Sequence, residues 1–166
     1  MATKNTNRRK GHRAEQFYAR TFRDLGFSKC TTSRFGSRFH DSAKIDLVGI
    51  PFNIQIKAGR HKNLSVGKEL FLMDACIKAN FDSTHEDYNK PRLLLHRYDS
   101  MGRKRTPEME IIYMSKNQFE IFKEMNPNLE YDTLKESKYE TKSEFKYIVS
   151  MTLKYFTEEI ISKYIP

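Results

Sequence analysis

The chain has 166 residues, 38% of them hydrophobic, which suits one compact domain with a buried core and leaves no room for a second full one. Two cysteines, Cys30 and Cys76, are too few for a disulfide framework or a four-cysteine zinc site; no apolar run approaches the roughly 20 residues of a membrane span, and the polar, basic start from Met1 to Arg13 lacks the apolar middle of a secretion signal, so a cytoplasmic protein is expected. The net charge of +9 is one-sided: residues 1–62 hold 14 Lys and Arg against 4 Asp and Glu, a net of +10, and the remainder hold 16 against 17, a net of −1.

Basic charge gathered in the first third of a chain with a pI near 9.5 favours a polyanionic partner, because each cation placed on a phosphate releases a condensed counterion. The plainer alternative is a solvated basic surface. Residues 1–10 have no apolar periodicity and read as a flexible basic arm. From Gly11 to Leu25, the residues Ala14, Phe17, Tyr18, Thr21, Phe22 and Leu25 fall at helical spacing, and Gly26 stands where a helix stops. Thr31 to Ser42 is rich in Ser, Thr, Arg and Gly without strand alternation, and is expected to be a partly extended, mobile loop.

Ile45–Val48 and Phe52–Lys57 are short β-prone runs around Gly49-Ile50-Pro51, a hairpin spacing. Lys68–Ala79 is apolar on nearly every side, as a helix buried between layers would be. A polar loop from Asn80 to Pro91 leads to two more strands, Arg92–Tyr98 and Glu108–Met114, joined by a basic turn with Arg103, Lys104 and Arg105. Ser115 and Gln118 make a capping-box pair, opening a helix whose Phe119 and Phe122 face the core. Thr141 and Glu144 repeat that pair, and a last helix is expected over about 142–163. Phe145, Ile148, Val149, Thr152, Phe156 and Ile160 would form one of its stripes; Tyr147, Met151 and Tyr155 would form another, with room for a symmetric dimer contact. This order predicts a single α/β or α+β domain over 11–166, a mixed sheet flanked by helices.

Chemistry concentrates on the hairpin. Alternation sends Phe52, Ile54 and Ile56 to one face of their strand and Asn53, Gln55 and Lys57 to the other. Asp46, isolated between Ile45 and Leu47, would reach the same region through the short turn. A carboxylate, an amide carbonyl and an ammonium then converge, the groups that metal-assisted phosphodiester hydrolysis needs: oxygen ligands for a hard cation, and positive charge beside the phosphate. Glu15, the only carboxylate between Met1 and Arg23, offers a second acid from the first helix. The plainer readings are a hairpin-capping Asp46, a solvated Lys57 and a Glu15 paired with a nearby arginine. Asp41 is a rival ligand, and His40 and His61 have no role beyond a phosphate contact. Arg8, Arg9, Lys10, Arg13, Arg34, Arg38, Arg60 and Lys62 are candidates for contacts that position a duplex without reading its sequence.

Asp46 followed by Gln55-Ile56-Lys57, with Glu15 upstream on a helix, resembles the PD-(D/E)xK nuclease superfamily. Within it, Lys10-Gly11-His12-Arg13-Ala14-Glu15, Leu25-Gly26-Phe27 and Ile45-Asp46-Leu47-Val48 resemble the archaeal-type Holliday-junction resolvases, over about Lys10 to Gly59. The resemblance implies a restriction-endonuclease-like core and a homodimeric, magnesium-dependent endonuclease of DNA recombination and repair that cuts branched DNA, with manganese a possible substitute. Asp46 and Gln55 would be metal ligands, Glu15 an accessory ligand and Lys57 the catalytic lysine. Gln55 departs from the usual Glu or Asp and is similar to the Mrr-like restriction nucleases. A less selective, restriction-like nuclease and an inactive DNA-binding protein on the same scaffold are the alternatives.

Overall fold

The computed structural model describes residues 4–60, 64–136 and 144–165, with 133–136 described through their backbone alone. Its strands are β1 (Thr31–Thr32), β2 (Leu47–Val48), β3 (Asn53–Ala58), β4 (Arg92–Arg97), β5 (Glu110–Ser115), β6 (Thr133–Glu136) and β7 (Tyr147–Thr152). They form one sheet in the order β1-β2-β3-β4-β5-β7-β6. Only β3 and β4 pair in parallel; every other pairing is antiparallel. The helices are α1 (Lys4–Asp24), α2 (Ser33–Gly36), α3 (Arg38–Ser42), α4 (Val66–Asn80), α5 (Glu86–Asn89), α6 (Lys116–Met125) and α7 (Leu153–Glu159). This is a mixed α+β architecture, a mixed sheet flanked by helices, as the element order predicts.

The sheet has a hydrophobic core on each face. On one, Ala14, Tyr18 and Phe22 of α1, Phe119 and Phe122 of α6 and Phe156 of α7 close over Phe52, Ile54, Ile56, Leu93, Leu95, Ile112 and Met151. On the other, Leu70, Met73 and Ile77 of α4 cover Leu94, Tyr113 and Ile148. Gly26 ends α1 at φ +116°, a conformation glycine adopts without a Cβ penalty, and the Phe27 amide returns to the Phe22 carbonyl at 3.1 Å. Gly49, at φ +81°, turns β2 toward β3, and a Cβ there would lie 2.4 Å from the Lys29 carbonyl oxygen, so the hairpin turn is pressed against the segment leading into β1.

Four expectations are corrected. Residues 4–10, read as a flexible arm, are exposed first turns of α1; long basic side chains have good helix propensity, and the packed turns from Ala14 onward nucleate the helix for them. Residues 1–3 lie outside the described residues. The stretch read as a loop over Thr31–Ser42 holds β1, α2 and α3, and the polar loop over 80–91 holds α5.

The last helix expected over about 142–163 is instead a 3-10 turn at Glu144–Lys146, strand β7 and the short helix α7. Val149 and Met151 enter one core and Ile148 the other, the two-residue alternation of a strand. Ile148, Val149 and Thr152 are β-branched, and both edges of β7 are taken up, by β5 and β6. Met151 is buried, so the second stripe proposed for a dimer contact does not exist. Thr141, read as a cap, lies outside the described residues.

Candidate active site

Asp46 stands where β2 parts from β3. Leu47 pairs with Ile54, and just before it the Asp46 amide donates to the Ile54 carbonyl at 2.8 Å. There the strands diverge, and the Asp46 carboxylate takes the place of the lost ladder partner: Oδ2 accepts from the Ile56 amide at 2.6 Å. On its other side the Asp46 carbonyl accepts from the Ser33 amide at 2.9 Å. Asp46 is thus clamped between the start of α2 and the open edge of β3.

Desolvation pushes the Asp46 carboxyl up to about 7; the Ile56 amide opposes this, Glu15 adds to it, and Lys57 and Arg34 pull it down. Three charged groups from three elements therefore act on this one carboxylate. Glu15 comes from α1, is buried, and is held by Arg34, with Nε 3.1 Å from Oε2 and Nη2 donating to Oε1 at 3.2 Å. The expected pairing of Glu15 with an arginine is thus present, and it ties α1 to α2. His12 Nδ1 stands 3.8 Å from the same carboxylate.

Gln55 and Lys57 leave β3 on the face opposite Ile54 and Ile56, as alternation requires. Gln55 is buried, and its Oε1 has no hydrogen-bond partner. An orphaned buried acceptor costs about 1–3 kcal/mol. The Lys57 ammonium lies 3.4 Å from Glu69 Oε2 on α4. Asn53, the third polar residue of this face, is structural: its Nδ2 donates to the Asp87 carbonyl at 2.6 Å.

The donors suit a hard divalent cation. Among the described residues no three His, Cys, Asp or Glu side chains come together as a metal cage. One or two carboxylates and an amide oxygen, with water completing the shell, is the mode in which magnesium is bound. A cation beside Asp46 would oppose the desolvation that raises this carboxyl.

Lys57 opens onto a cleft of about 630 Å³ lined also by Lys10 and Arg60. A hollow of about 280 Å³ adjoins it, sharing Lys10, Gly59 and Asp99 and adding Arg13, Arg97 and Arg105. Six cations thus border the two hollows against one carboxylate, Asp99, which Lys10 approaches to 3.9 Å. Arg97 lies over the Phe17 ring, 4.4 Å from its centroid.

Of the basic residues singled out in the sequence, Lys10, Arg13 and Arg60 line this track. Arg8 and Arg9 are exposed on α1 and Arg38 on α3, while Arg34 serves Glu15. Lys62 and His61 lie outside the described residues. His40 is not available to a phosphate as expected: its Nε2 meets Asp87 Oδ2 at 2.6 Å. Asp41, the rival ligand, sits exposed on α3.

Sequence reasoning missed Thr32 and Ser33, whose buried hydroxyls have no hydrogen-bond partner beside the Asp46 backbone. It also missed Glu69, hidden in a helix that reads as uniformly apolar, and Arg97 with Arg105; the basic turn carrying Arg105 was the one available signal. No protein-family model, curated protein or solved structure matches this chain.

Proposed function

We propose that the chain is a metal-dependent DNA endonuclease of the PD-(D/E)xK type on a restriction-endonuclease-like core, a homodimeric resolvase that hydrolyses phosphodiester bonds in branched DNA. The observation that carries this reading is the junction of β2 and β3, where the Asp46 carboxylate, poised near neutrality, accepts from the Ile56 amide and feels the charge of Lys57, while Gln55 on the same strand keeps a buried, unpartnered oxygen. Asp46 and Gln55 would hold magnesium, with manganese as a substitute, and Glu15 would orient a water in its shell. The bound cation supplies Lewis-acid stabilisation of charge on the phosphoryl oxygens. Lys57 exchanges Glu69 for the scissile phosphate and offsets the charge that builds up on it. The basic track beyond Lys57 gives the phosphates on one side of the cut a place to lie. Two active sites in a dimer suit the paired nicks that resolve a four-way junction.

With magnesium, the purified protein should cut a synthetic four-way junction in preference to linear duplex, and Asp46→Asn should abolish cutting while binding persists. Equal cutting of plain duplex would instead identify a restriction-like nuclease. The glutamine at position 55, where the family usually has an acid, favours one further reading, a DNA-binding protein on a decayed scaffold. Intact DNA affinity with no magnesium or manganese binding at Asp46, followed by calorimetry, would establish it.

A further inference from the structure

Leading into Asp46, the helices α2 and α3 carry the two most exposed large hydrophobic side chains of the described residues, Phe35 at 74% and Phe39 at 66%. A phenylalanine left this bare forfeits the burial that stabilises one in a core, about 1.5–3 kcal/mol. Each follows an exposed arginine, Arg34 before Phe35 and Arg38 before Phe39. Both short helices are anchored from behind: Arg34 binds Glu15, His40 binds Asp87, and Ala43 is buried in the α4 core. The aromatic rings are thus presented on a fixed base. The Phe35 ring stands 6.0 Å from that of His12, which itself approaches Glu15.

We infer that Phe35 and Phe39 form a stacking platform for unpaired nucleobases next to the cleavage site, with Arg38 and the free face of Arg34 meeting the adjoining phosphates. This rests on the proposed nuclease reading and adds what that reading lacks, a physical basis for preferring branched over plain DNA. Every base has a π-face, so aromatic rings beside cations grip single strands with little regard to sequence. In an intact duplex those faces are already stacked and closed to a protein side chain. At a branch point or flap they are open. The exposed Arg38 beside Phe39 argues for this occupant, because a nucleic-acid strand offers a base face to the ring and a phosphate to the neighbouring cation.

The chain contains no tryptophan, so Phe35→Trp and Phe39→Trp each create a single fluorescent reporter at an exposed position where the substitution leaves folding undisturbed. In the uncleaving Asp46→Asn background, oligothymidine and a four-way junction should quench the reporter, and a linear duplex bound to the same extent by anisotropy should not. Phe35→Ala combined with Phe39→Ala should weaken junction and single-strand binding about tenfold while duplex binding stays within about twofold. Unchanged emission at saturating junction, or equal losses on junction and duplex, would overturn the platform. A blue shift that grows with protein concentration alone, accompanied by a doubling of mass in light scattering, would assign the rings to a dimer interface instead. Failure of the protein with native Phe35 and Phe39 to bind any DNA would strike the nuclease reading itself, which separates the two ideas.

Discussion

At the scale of single residues, Asp46 ties stability to pH, and under the proposed function to magnesium as well. A carboxyl raised from its usual range to about 7 binds a proton in the folded state that the unfolded chain has already lost. Folded protein therefore holds more protons between about pH 4 and 7, and stability falls as pH rises through that window. The contribution is fully present below pH 4 and gone above 7. Asp46→Asn keeps a carbonyl for the Ile56 amide and carries no charge, so it should unfold at higher temperature than wild type in metal-free buffer at pH 8, by the equivalent of at most about 4 kcal/mol. The difference should shrink toward pH 4, and magnesium should stabilise only the wild type. Thermal unfolding with and without EDTA checks all three. Gln55→Glu tests the neighbouring oxygen: a second carboxylate beside Asp46 should lower the magnesium concentration for half-maximal stabilisation by about tenfold, an effect of roughly 1.4 kcal/mol. A silent Gln55→Glu in the same titration would remove Gln55 from the ligand set.

Elements reach the site through a polar tie rather than through the core. Burial pushes the Asp87 carboxyl up, but hydrogen bonds from His40 at 2.6 Å and Lys90 at 2.5 Å outweigh it and hold the group down at about 2. With the Asn53 amide on its carbonyl, this one residue of α5 links α3 to the first residue of β3. A depressed carboxyl stabilises above the unfolded value near pH 4, and that stabilisation is lost as pH falls toward 2. Asp87→Asn should cost about 2 kcal/mol at pH 7, and urea unfolding of mutant and wild type should draw together as pH falls toward 2. These elements were also the hardest to read. The hairpin was legible because Phe52, Ile54 and Ile56 alternate with polar neighbours on a strand with only one core-facing apolar row. Segment 31–42 was not, since α2 and α3 are single turns fixed by Glu15 and Asp87, partners 19 and 47 residues away in the chain. In 145–156 the apolar residues satisfied a helical period by coincidence, and only pairing with β5 and β6, which local pattern does not encode, made Tyr147–Thr152 a strand.

Taken whole, the molecule sorts its charge along the sheet as well as along the chain. The cleft lies at the end of β3 and β4 that carries Lys57 and Arg97, whereas the start of β4 faces α6, where the Arg92 amide meets the Gln118 side chain. The excess in residues 1–62 is therefore joined by Arg97 and Arg105 from the near-neutral remainder, and a count along the sequence understates how strongly one end of the fold is basic. If that end holds phosphates, the slope of log affinity against log salt must depend on which lysines and arginines are removed. Each lost contact with duplex DNA should reduce the slope by about 0.9. Arg13→Gln with Arg105→Gln should thus lower it by about 2, whatever the DNA sequence. Lys116→Gln with Lys163→Gln changes net charge equally, but these residues sit on α6 and after α7, so the slope should stay as it is. Binding isotherms at four salt concentrations, in the Asp46→Asn background, compare the pairs. Equal shifts for both would mean that DNA senses only the total charge, and the track from Lys57 to Arg105 would lose its claim as the path of the backbone.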